Sequence, residues 1–554
     1  MVKLRLVRIL GFSAIACICY SMQFSSYAAS AMAPRYDEDS GNQNPASLVR
    51  GPYLQIGTAT GLVLRWRTDN ATTSRVRYGV SANNLSSFVD SSATTTEHEV
   101  GLSDLLSDTK YYYSIGSTSD TLAVGADYFF VTAPPPGTTS KSRIWVIGDA
   151  GTANSNQRAV RDAFYAFTDT IHTNLWVMLG DNAYGNGKDN EYQAAVFDMY
   201  PAMLRKSVLW PAFGNHDGHS ASSSTQTGPF YDIFTLPKNA EAGGVATGTE
   251  AYYSFEYANI HFICLNSHDV SRATTGPMLT WLREDLAGND LDWTIAFWHH
   301  PPYTKGSHNS DNEGQLIEMR QNALPILENG GVDLVLTGHS HSYERSYLLD
   351  GHYGSSNTLT NDMIVDGGDG REDGDGSYNK ATLGPASHEG AVYIVAGSSG
   401  KTSSGSLNHP AMSVSLKVLG SVVLDVDSNR VDVTFLDDSG TRRDYFTLTK
   451  GETGTPVFVE VPTVVPDRFE LAQNYPNPFN AETTISYAMP TSGFVSLKIM
   501  NILGHEIASL VNEFQRAGNH SVRLDATNLA TGVYFYKLQI GTGIVETKKM
   551  LLMK

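Results

Sequence analysis

Five short apolar segments of the chain end abruptly in residues that can bind metals or substrates. In the clearest case, residues 175–179 are apolar and lead into Gly180, Asp181 and then Tyr184. An apolar run of this length is typical of a buried strand that ends in a loop. The pattern recurs at four other places, where apolar segments lead into Asp149, into Asn215 and His216, into His299, and into His339 and His341.

Helical patterns separate these segments, and the alternation predicts an α/β domain over residues 141–450. Apolar residues recur at helical spacing in two sets: Val160, Phe164, Phe167 and Ile171, and Met278, Leu279, Leu282 and Leu286. Further strand patterns at 252–265 and 422–449 indicate a second sheet. The prediction is a four-layer β-sandwich flanked by helices. Ligands gather outside the carboxyl ends of strands in open α/β sheets, so the five segment ends are expected to form one site.

The length and charge of the chain limit its function classes. With 554 residues, it is too long for a single core and requires several domains. Its formal net charge of -18 argues against a protein that coats nucleic acid, because Lys and Arg hold phosphate backbones. A small phosphate substrate remains compatible with this charge, since bound metal ions reverse the local field.

Residues 1–31 are predicted to be a secretory signal peptide. Lys3, Arg5 and Arg8 precede an apolar stretch at 9–19 and small residues near position 30. The alternatives are a short buried helix, a membrane anchor or a lipoprotein anchor, but the apolar stretch is shorter than the ~20 residues that span a bilayer. We expect no transmembrane segment in the mature chain.

Cleavage of this peptide would remove two of the three cysteines, Cys17 and Cys19. Cys264 would then be alone in the mature protein, so no intramolecular disulfide could form. It lies within a strand-like run at 260–265, which predicts a buried and unreactive thiol.

Residues 45–135 alternate apolar and polar side chains in short runs, which predicts an all-β N-terminal sandwich. Leu105, Thr109 and Tyr111 resemble the tyrosine-corner region of a fibronectin type III domain. Such a domain could contact substrates or surfaces, or could serve only for packing. Prolines at 134–136 then indicate a stiff linker.

The C-terminal segment is predicted to be a separate all-β sandwich at 467–554, joined by a Pro- and Thr-rich linker at 451–466. It closely resembles the C-terminal sorting domain of type IX secretion cargo over nearly its whole length. This resemblance implies the type IX secretion machinery as a partner, and export through the periplasm and outer membrane to the cell surface or the medium. A carbohydrate-binding or structural sandwich is the alternative.

The residues at the five segment ends suit a pair of metal ions. Two hard ions held about 3.5–4 Å apart require a bridging carboxylate and several neutral nitrogen donors. Such a pair polarises a phosphoryl group and supplies hydroxide at neutral pH. A different phosphate site is not favoured at 395–402, because Val395 stands where a P-loop requires its first glycine. A strand and a turn are expected there.

Together the five motifs resemble those of the purple acid phosphatases, within the metallophosphoesterase superfamily, over residues 49–450. The matching motifs are at 148–151, 180–184, 214–217, 296–299 and 338–341. The resemblance implies a first metal held by Asp149, Tyr184 and His341, a second held by Asn215, His299 and His339, and Asp181 as the bridge. A phenolate at Tyr184 implies Fe(III) in the first position, with Fe, Zn or Mn as a divalent partner.

The resemblance also implies two catalytic histidines. His308 stands where the family places a substrate-contacting histidine and is the predicted general acid, and His216 is predicted to steady the phosphoryl oxygens. Asn309 replaces a second histidine of the plant members, which affects substrate preference. Ala296 in place of valine is a packing change. His300, His219 and His268 are predicted to have no role in the reaction.

The leading prediction is therefore a secreted binuclear acid phosphatase that hydrolyses phosphomonoesters by metal-activated hydroxide attack. A phosphodiesterase or nucleotidase of the same superfamily is the second hypothesis, because these enzymes differ in pocket shape alone. A non-catalytic surface binding protein is the third, and the full ligand set argues against it.

Overall fold

Residues 46–451, 468–490, 493–515, 518–527, 529–540 and 544–554 are described by the computed structural model. The predicted signal peptide, with Cys17 and Cys19, and nearly all of the predicted linker at 451–466 lie outside these residues. The chain divides into two units, one ending at Gly451 and the other beginning at Glu452. In the described part of the chain, every helix is too short or too polar to cross a membrane.

The first six strands form one hydrogen-bonded sheet around two long strands. They are β1 (Leu48–Gln55), β2 (Leu62–Gly79), β3 (Ser87–Leu102), β4 (Lys110–Gly116), β5 (Thr121–Ala123) and β6 (Phe129–Val131). The first part of β2 pairs with β1 and its last part with β4. Trp66 and Val76 of β2 are buried, as the alternating pattern predicts. The N–H of Leu106 donates to the hydroxyl of Tyr111 at 3.0 Å, which is the contact expected of a tyrosine corner.

The following residues form two seven-stranded sheets. Their strands, with one small extra pair, are β7 (Ser142–Ile147), β8 (Leu175–Met178), β9 (Val208–Pro211), β10 (Tyr253–Tyr257), β11 (Ile260–Cys264), β12 (Trp293–Trp298), β13 (Leu334–Thr337), β14 (Tyr343–Ser346), β15 (Leu348–Leu349), β16 (Ile364–Asp366), β17 (Tyr378–Lys380), β18 (Val392–Ala396), β19 (Met412–Leu416), β20 (Gly420–Asp427), β21 (Arg430–Asp437) and β22 (Arg442–Lys450). One sheet has the order β17-β22-β21-β20-β7-β8-β9, and the other has the order β10-β11-β12-β13-β18-β14-β19.

Helices cover the outer faces of both sheets. The α-helices of this part of the chain are α1 (Ser155–Thr168), α2 (Asp189–Tyr192), α3 (Pro201–Leu204), α4 (Pro229–Ile233), α5 (Pro277–Gly288), α6 (Gly314–Glu318) and α7 (Leu324–Asn329). Phe164 of α1 stacks on Trp145 of β7, with 4.3 Å between the ring centroids. Between the sheets, Trp210 stacks on Phe255 at 3.8 Å. This layering confirms the predicted fold class.

Two sequence predictions about single residues meet different outcomes. The helical pattern predicted over 160–171 extends too far: α1 ends at Thr168, and Ile171 is exposed. Asp169 adopts a positive φ of 45°, which cannot continue a right-handed helix. The prediction of a buried Cys264 is confirmed, since the residue lies inside β11 and burial raises the pKa of its thiol.

The N-terminal strands pack on the segment that follows Tyr184. Arg67 binds Asp189, the first residue of α2, through two hydrogen bonds of 2.6 and 2.8 Å, and Arg50 binds the same carboxylate at 3.1 Å. Glu191 of α2 accepts the backbone N–H groups of Gly185, Asn186 and Lys188. The N-terminal strands thereby hold the loop that carries Tyr184.

The second unit is a β-sandwich with its own core, as predicted. Its strands are β23 (Glu470–Leu471), β24 (Glu482–Met489), β25 (Gly493–Met500), β26 (Glu506–Gln515), β27 (Gly518–Asp525), β28 (Gly532–Ile540) and β29 (Ile544–Leu552). They form one sheet of three strands and one of four. Ile485, Leu497 and Tyr536 lie in the core between them.

Candidate metal centre

The loops after five strands converge at one place. Strands β7, β8 and β9 are parallel neighbours in one sheet, and β12 and β13 are parallel neighbours in the other. The loops of the two sheets are bonded to each other. The N–H of His339 donates to Oδ2 of Asp149 at 2.6 Å, and Nδ1 of His299 donates to the carbonyl of Leu179 at 2.8 Å. All seven predicted metal ligands therefore lie together, although they come from separate segments of the chain.

The first predicted group of ligands forms a compact set of contacts. The Tyr184 hydroxyl donates to Oδ1 of Asp149 at 2.9 Å and lies 3.4 Å from Nε2 of His341. His341 Nε2 lies 3.5 Å from the same Asp149 oxygen. On its other side, Nδ1 of His341 lies 2.9 Å from the hydroxyl of Ser403. That contact orients the imidazole so that Nε2 faces Asp149 and Tyr184.

The second predicted group is built around Asn215. Its Oδ1 lies 2.9 Å from Nε2 of His299 and 3.0 Å from Nδ1 of His339. The same two ring nitrogens are 3.2 Å apart. Because Nδ1 of His299 donates its proton to the carbonyl of Leu179, Nε2 is the ring nitrogen that faces Oδ1 of Asn215. These nitrogen and amide oxygen donors suit a metal ion.

Asp181 lies between the two groups. Its Oδ1 lies 3.3 Å from Nε2 of His299, and the donor atoms of Asp149, Asp181 and His299 all lie within 4.8 Å of one another. The same Oδ1 accepts the N–H of His216 at 2.8 Å. The Asn215 loop approaches so closely that a Cβ on Gly214 would clash with the backbone nitrogen and carboxylate of Asp181. Glycine is therefore required there.

Burial and neighbouring charges shift the pKa values of several predicted metal ligands. Burial opposes ionisation of Asp149, but the hydrogen bond from His341 and the charge of His299 outweigh it and hold the Asp149 pKa below its usual range. Burial lowers the pKa of His339 to about 4, so this imidazole is neutral at pH 7. Burial, Asp149 and Asp181 raise the pKa of Tyr184 well above its ordinary value. Without a metal, Tyr184 therefore keeps its proton, and a bound ion must displace it.

The two predicted catalytic histidines lie beside the ligands. His216 Nδ1 donates to the carbonyl of Gly185 at 2.6 Å, and its Nε2 lies 3.8 Å from Oδ2 of Asp181. The ring of His308 lies 3.7 Å from the ring of His339, between centroids, and its Nδ1 lies 2.8 Å from Oε2 of Glu313. About 28% and 30% of these side chains are exposed, so a substrate can reach both.

Sequence reasoning missed two carboxylates at the site. Glu313 contacts His308 and also lies 3.5 Å from Nε2 of His339. Asp217 is buried and accepts hydrogen bonds from Tyr192 and from the backbone N–H groups of Asn182 and Gly214, so it ties two ligand loops together. Burial and the charge of Asp181 raise the pKa of Asp217 to about 7. Asp217 belongs to the 214–217 motif, whereas no pattern in the sequence marks Glu313.

Of the three histidines predicted to have no role, His300 packs against a predicted ligand, with its ring centroid 4.3 Å from that of His339. It is buried, and its Nδ1 lies 2.8 Å from the hydroxyl of Ser267. Burial holds its pKa well below the ordinary value. Its contact with Ser267 is one that a core histidine can make, but donor atoms of His299, His300 and His339 also lie within 4.8 Å of one another, so its lack of a role stays a prediction.

Three segments match known protein families. Residues 142–343 match the calcineurin-like phosphoesterases, residues 49–132 match the purple acid phosphatase N-terminal domain, and residues 473–553 match the secretion system C-terminal sorting domain. Among curated proteins, the chain is 28% identical over 289 residues to purple acid phosphatase 23 of Arabidopsis thaliana, covering 46% of this chain and 59% of that protein. It is 27% identical over 259 residues to purple acid phosphatase 1 of Ipomoea batatas, covering 45% and 51%. The match thus spans between half and three-fifths of these relatives.

Solved structures share the fold. Purple acid phosphatase PPD1 from yellow lupin (Lupinus luteus) seeds aligns with a TM-score of 0.57 and 18% identity, over 73% of this chain and 75% of that chain. PhoD aligns with a TM-score of 0.52 and 13% identity, over 74% and 92%. At these identities the structures support the fold alone.

The fold and the converging donor atoms agree with the match of residues 142–343 to the calcineurin-like phosphoesterases. Among the proteins of that class, the chain is similar to the purple acid phosphatases in both its N-terminal and its phosphoesterase segments. It also carries a secretion system C-terminal sorting domain. The resemblance predicted from the five motifs is confirmed.

Proposed function

We propose that the protein is a secreted acid phosphatase that hydrolyses phosphomonoesters at a centre of two metal ions. The observation that carries this proposal is the convergence of Asp149, Tyr184 and His341 on one side and of Asn215, His299 and His339 on the other, with Asp181 between them. The presence of a phenol in the first group supports Fe(III) there, with divalent Fe, Zn or Mn in the second.

Bound at these residues, the two ions would polarise the phosphoryl group and supply hydroxide at neutral pH. Asp149 and Asp181 offer carboxylate oxygens to such ions, and Asn215 offers an amide oxygen. The hydrogen bonds of His299 to Leu179 and of His341 to Ser403 fix which ring nitrogen each imidazole offers.

His308 is the proposed general acid. Because Nδ1 of His308 is bonded to Glu313, Nε2 is the nitrogen left to give a proton to the leaving alkoxide. His216 is bonded to Gly185 through Nδ1, so its Nε2 is the atom that can donate to a phosphoryl oxygen. Both roles require the protonated imidazolium, in which Nδ1–H keeps its bond to Glu313 or Gly185 and Nε2–H is the proton that can be donated.

Five segments make up the proposed organisation of the chain. We assign 1–31 to the signal peptide, 45–135 to the N-terminal domain, 141–450 to the catalytic domain, 451–466 to the linker and 467–554 to the sorting domain. The sorting domain match supports handling by the type IX secretion machinery and delivery to the cell surface or the medium.

Two measurements test the function together. Purified protein is expected to contain two metal ions per chain by elemental analysis and to hydrolyse p-nitrophenyl phosphate faster than bis-p-nitrophenyl phosphate. Asp181→Asn and Asn215→Ala are expected to abolish activity, because the other donors cannot replace a bridging carboxylate or a second-site amide. Asp425→Asn, which alters a carboxylate paired with Arg143, is the matched control and should retain both metals and activity. Active protein with less than one metal per chain would contradict the proposal.

A further inference from the structure

The ammonium group of Lys401 lies over the aromatic ring of Tyr184, a candidate metal ligand. Its Nζ lies 3.8 Å from the centroid of the Tyr184 ring. Cations are attracted to the face of an aromatic ring within about 6 Å of its centroid. Lys401 is half-buried, and among the residues that the structure describes no carboxylate forms an ion pair with it. Its ammonium is therefore held by the ring rather than by an acid.

Hydrogen bonds on both sides of Lys401 fix its position. Before it, the N–H of Ser399 donates to the carbonyl of Gly148 at 3.1 Å. After it, the N–H of Ser403 donates to the carbonyl of His341 at 3.1 Å, and the Ser403 hydroxyl contacts the same imidazole. The loop of Lys401 is thus bonded to the loops of two candidate ligands.

Gly400 is required for this close approach. A Cβ at this position would lie 2.6 Å from the carbonyl oxygen of Asp149, which is closer than real Cβ atoms come to other atoms. The backbone beside Lys401 therefore lies directly against the first ligand loop. This close packing fixes the backbone of Lys401 beside the candidate metal centre.

Lys401 does not act as a P-loop lysine. A P-loop opens a helix, whose N-terminal N–H groups bind phosphate. Residues 397–411, all of which the structure describes, contain no helix and run from β18 to β19. The predicted strand and turn are confirmed here, and the lysine side chain contacts Tyr184.

The groups around Tyr184 carry negative charge that the ammonium of Lys401 can offset. When Tyr184 binds a metal as a phenolate, three negative groups lie together, since Asp149 and Asp181 are also close. A cation above the ring offsets part of this negative charge. It also lowers the energy of the filled orbitals of the phenolate, so more energy is needed to move an electron from the ring to a ferric ion.

We propose that Lys401 is a positioning residue of the metal centre, whose ammonium stabilises the negative charge of Tyr184 and sets the energy of its charge-transfer band. This inference rests on the proposed ferric site. It assigns a role to a residue outside the predicted ligand set.

Visible spectra of iron-loaded variants test the inference, with iron content measured in every sample. The charge-transfer band of Lys401→Met is expected to move to longer wavelength by about 10 nm or more, because the ring loses its cation. Lys401→Gln provides a second neutral variant and should show the same shift. Lys401→Arg keeps a cation that can lie over the ring and should restore the wild-type position.

Lys417→Met is the matched control. Lys417 donates to the hydroxyl of Ser404 at 2.9 Å, so this variant removes the same charge from a neighbouring site. Its band is expected at the wild-type position. The inference is overturned if wild type is coloured and the Lys401→Met band does not move, or if Lys417→Met moves it equally. An iron-loaded wild type without a visible band would overturn the ferric assignment as well.

Discussion

The imidazole of His308 and the carboxylate of Glu313 form a close pair, with Nδ1 and Oε2 2.8 Å apart. The second carboxylate oxygen accepts the N–H of Asn309 at 2.9 Å, which fastens the loop on which His308 stands. The first oxygen also lies 3.5 Å from His339 Nε2. One glutamate thus supports both the predicted general acid and a predicted ligand.

Replacing Glu313 should therefore slow turnover. We expect Glu313→Ala to lower kcat by about 10–100-fold, the usual cost of losing a carboxylate that orients a metal-bound histidine. Glu313→Gln should cost less, because its amide oxygen can still accept the Nδ1 proton of His308. Steady-state kinetics at equal metal content measure both effects. Glu318→Ala, which removes a glutamate paired with Arg272, is the control. A wild-type kcat in Glu313→Ala would contradict the pairing argument.

Tyr184→Phe is expected to remove the visible band while leaving the fold intact. A phenolate binds ferric iron and absorbs visible light, and phenylalanine has no oxygen with which to do so. The ring contacts of Tyr184 with His216 and Lys401 can remain. A visible spectrum and a thermal unfolding curve measure the two outcomes. Tyr445→Phe, which alters a tyrosine bonded to Asp373, controls for general effects. Persistence of the band in Tyr184→Phe would assign the colour to another group.

Deleting residues 467–554 is expected to leave turnover unchanged. The C-terminal unit has its own hydrophobic core and belongs to a separate unit of the chain. Its match to a sorting domain predicts that the truncated protein stays in the periplasm of its native cell. Activity of the purified truncation and fractionation of the cells measure both effects. The prediction fails if the truncated protein reaches the surface, or if it loses activity while remaining folded.

Acid is expected to destabilise the first unit through two buried histidines. Both ring nitrogens of His352, and Nε2 of His409, lack a hydrogen-bond partner among the described residues. Burial lowers the pKa of His352 to about 4 and that of His409 to about 3. The unfolded chain therefore binds protons first as the pH falls below about 6.5. Stability should be constant with respect to these groups above that pH and fall towards pH 3–4, by up to about 1.4 kcal/mol per pH unit for each histidine.

Urea unfolding at several pH values measures this loss. All seven tryptophans precede residue 452, so their fluorescence reports the first unit alone. His352→Phe can keep the stacking on Tyr303 without a titrating nitrogen and should flatten the pH dependence. His388→Gln, which alters an exposed histidine paired with Asp350, is the control. An unchanged slope in His352→Phe would assign the acid sensitivity to other groups.

The fold class and the candidate ligands could be predicted from sequence because their signals are local. Apolar runs mark the strands, and the residue types that directly follow them, such as Asp181 after β8 and His299 after β12, identify what each strand end carries. Helix α1 ends earlier than the helical pattern predicts because a single residue, Asp169, adopts a positive φ that apolar periodicity does not encode.

The contacts between loops were decided by the tertiary structure alone. Glu313 meets His339, and Lys401 meets Tyr184, through segments that are far apart in the chain and have no periodic pattern of their own. Their positions depend on how the loops of two sheets pack, including the glycine at position 400 that admits close approach. The sequence by itself determined which strand ends carry donors. Only the packing of the sheets decided that Glu313 and Lys401 lie beside these donors. Side-chain pairing across loops depends on distances that local sequence does not specify.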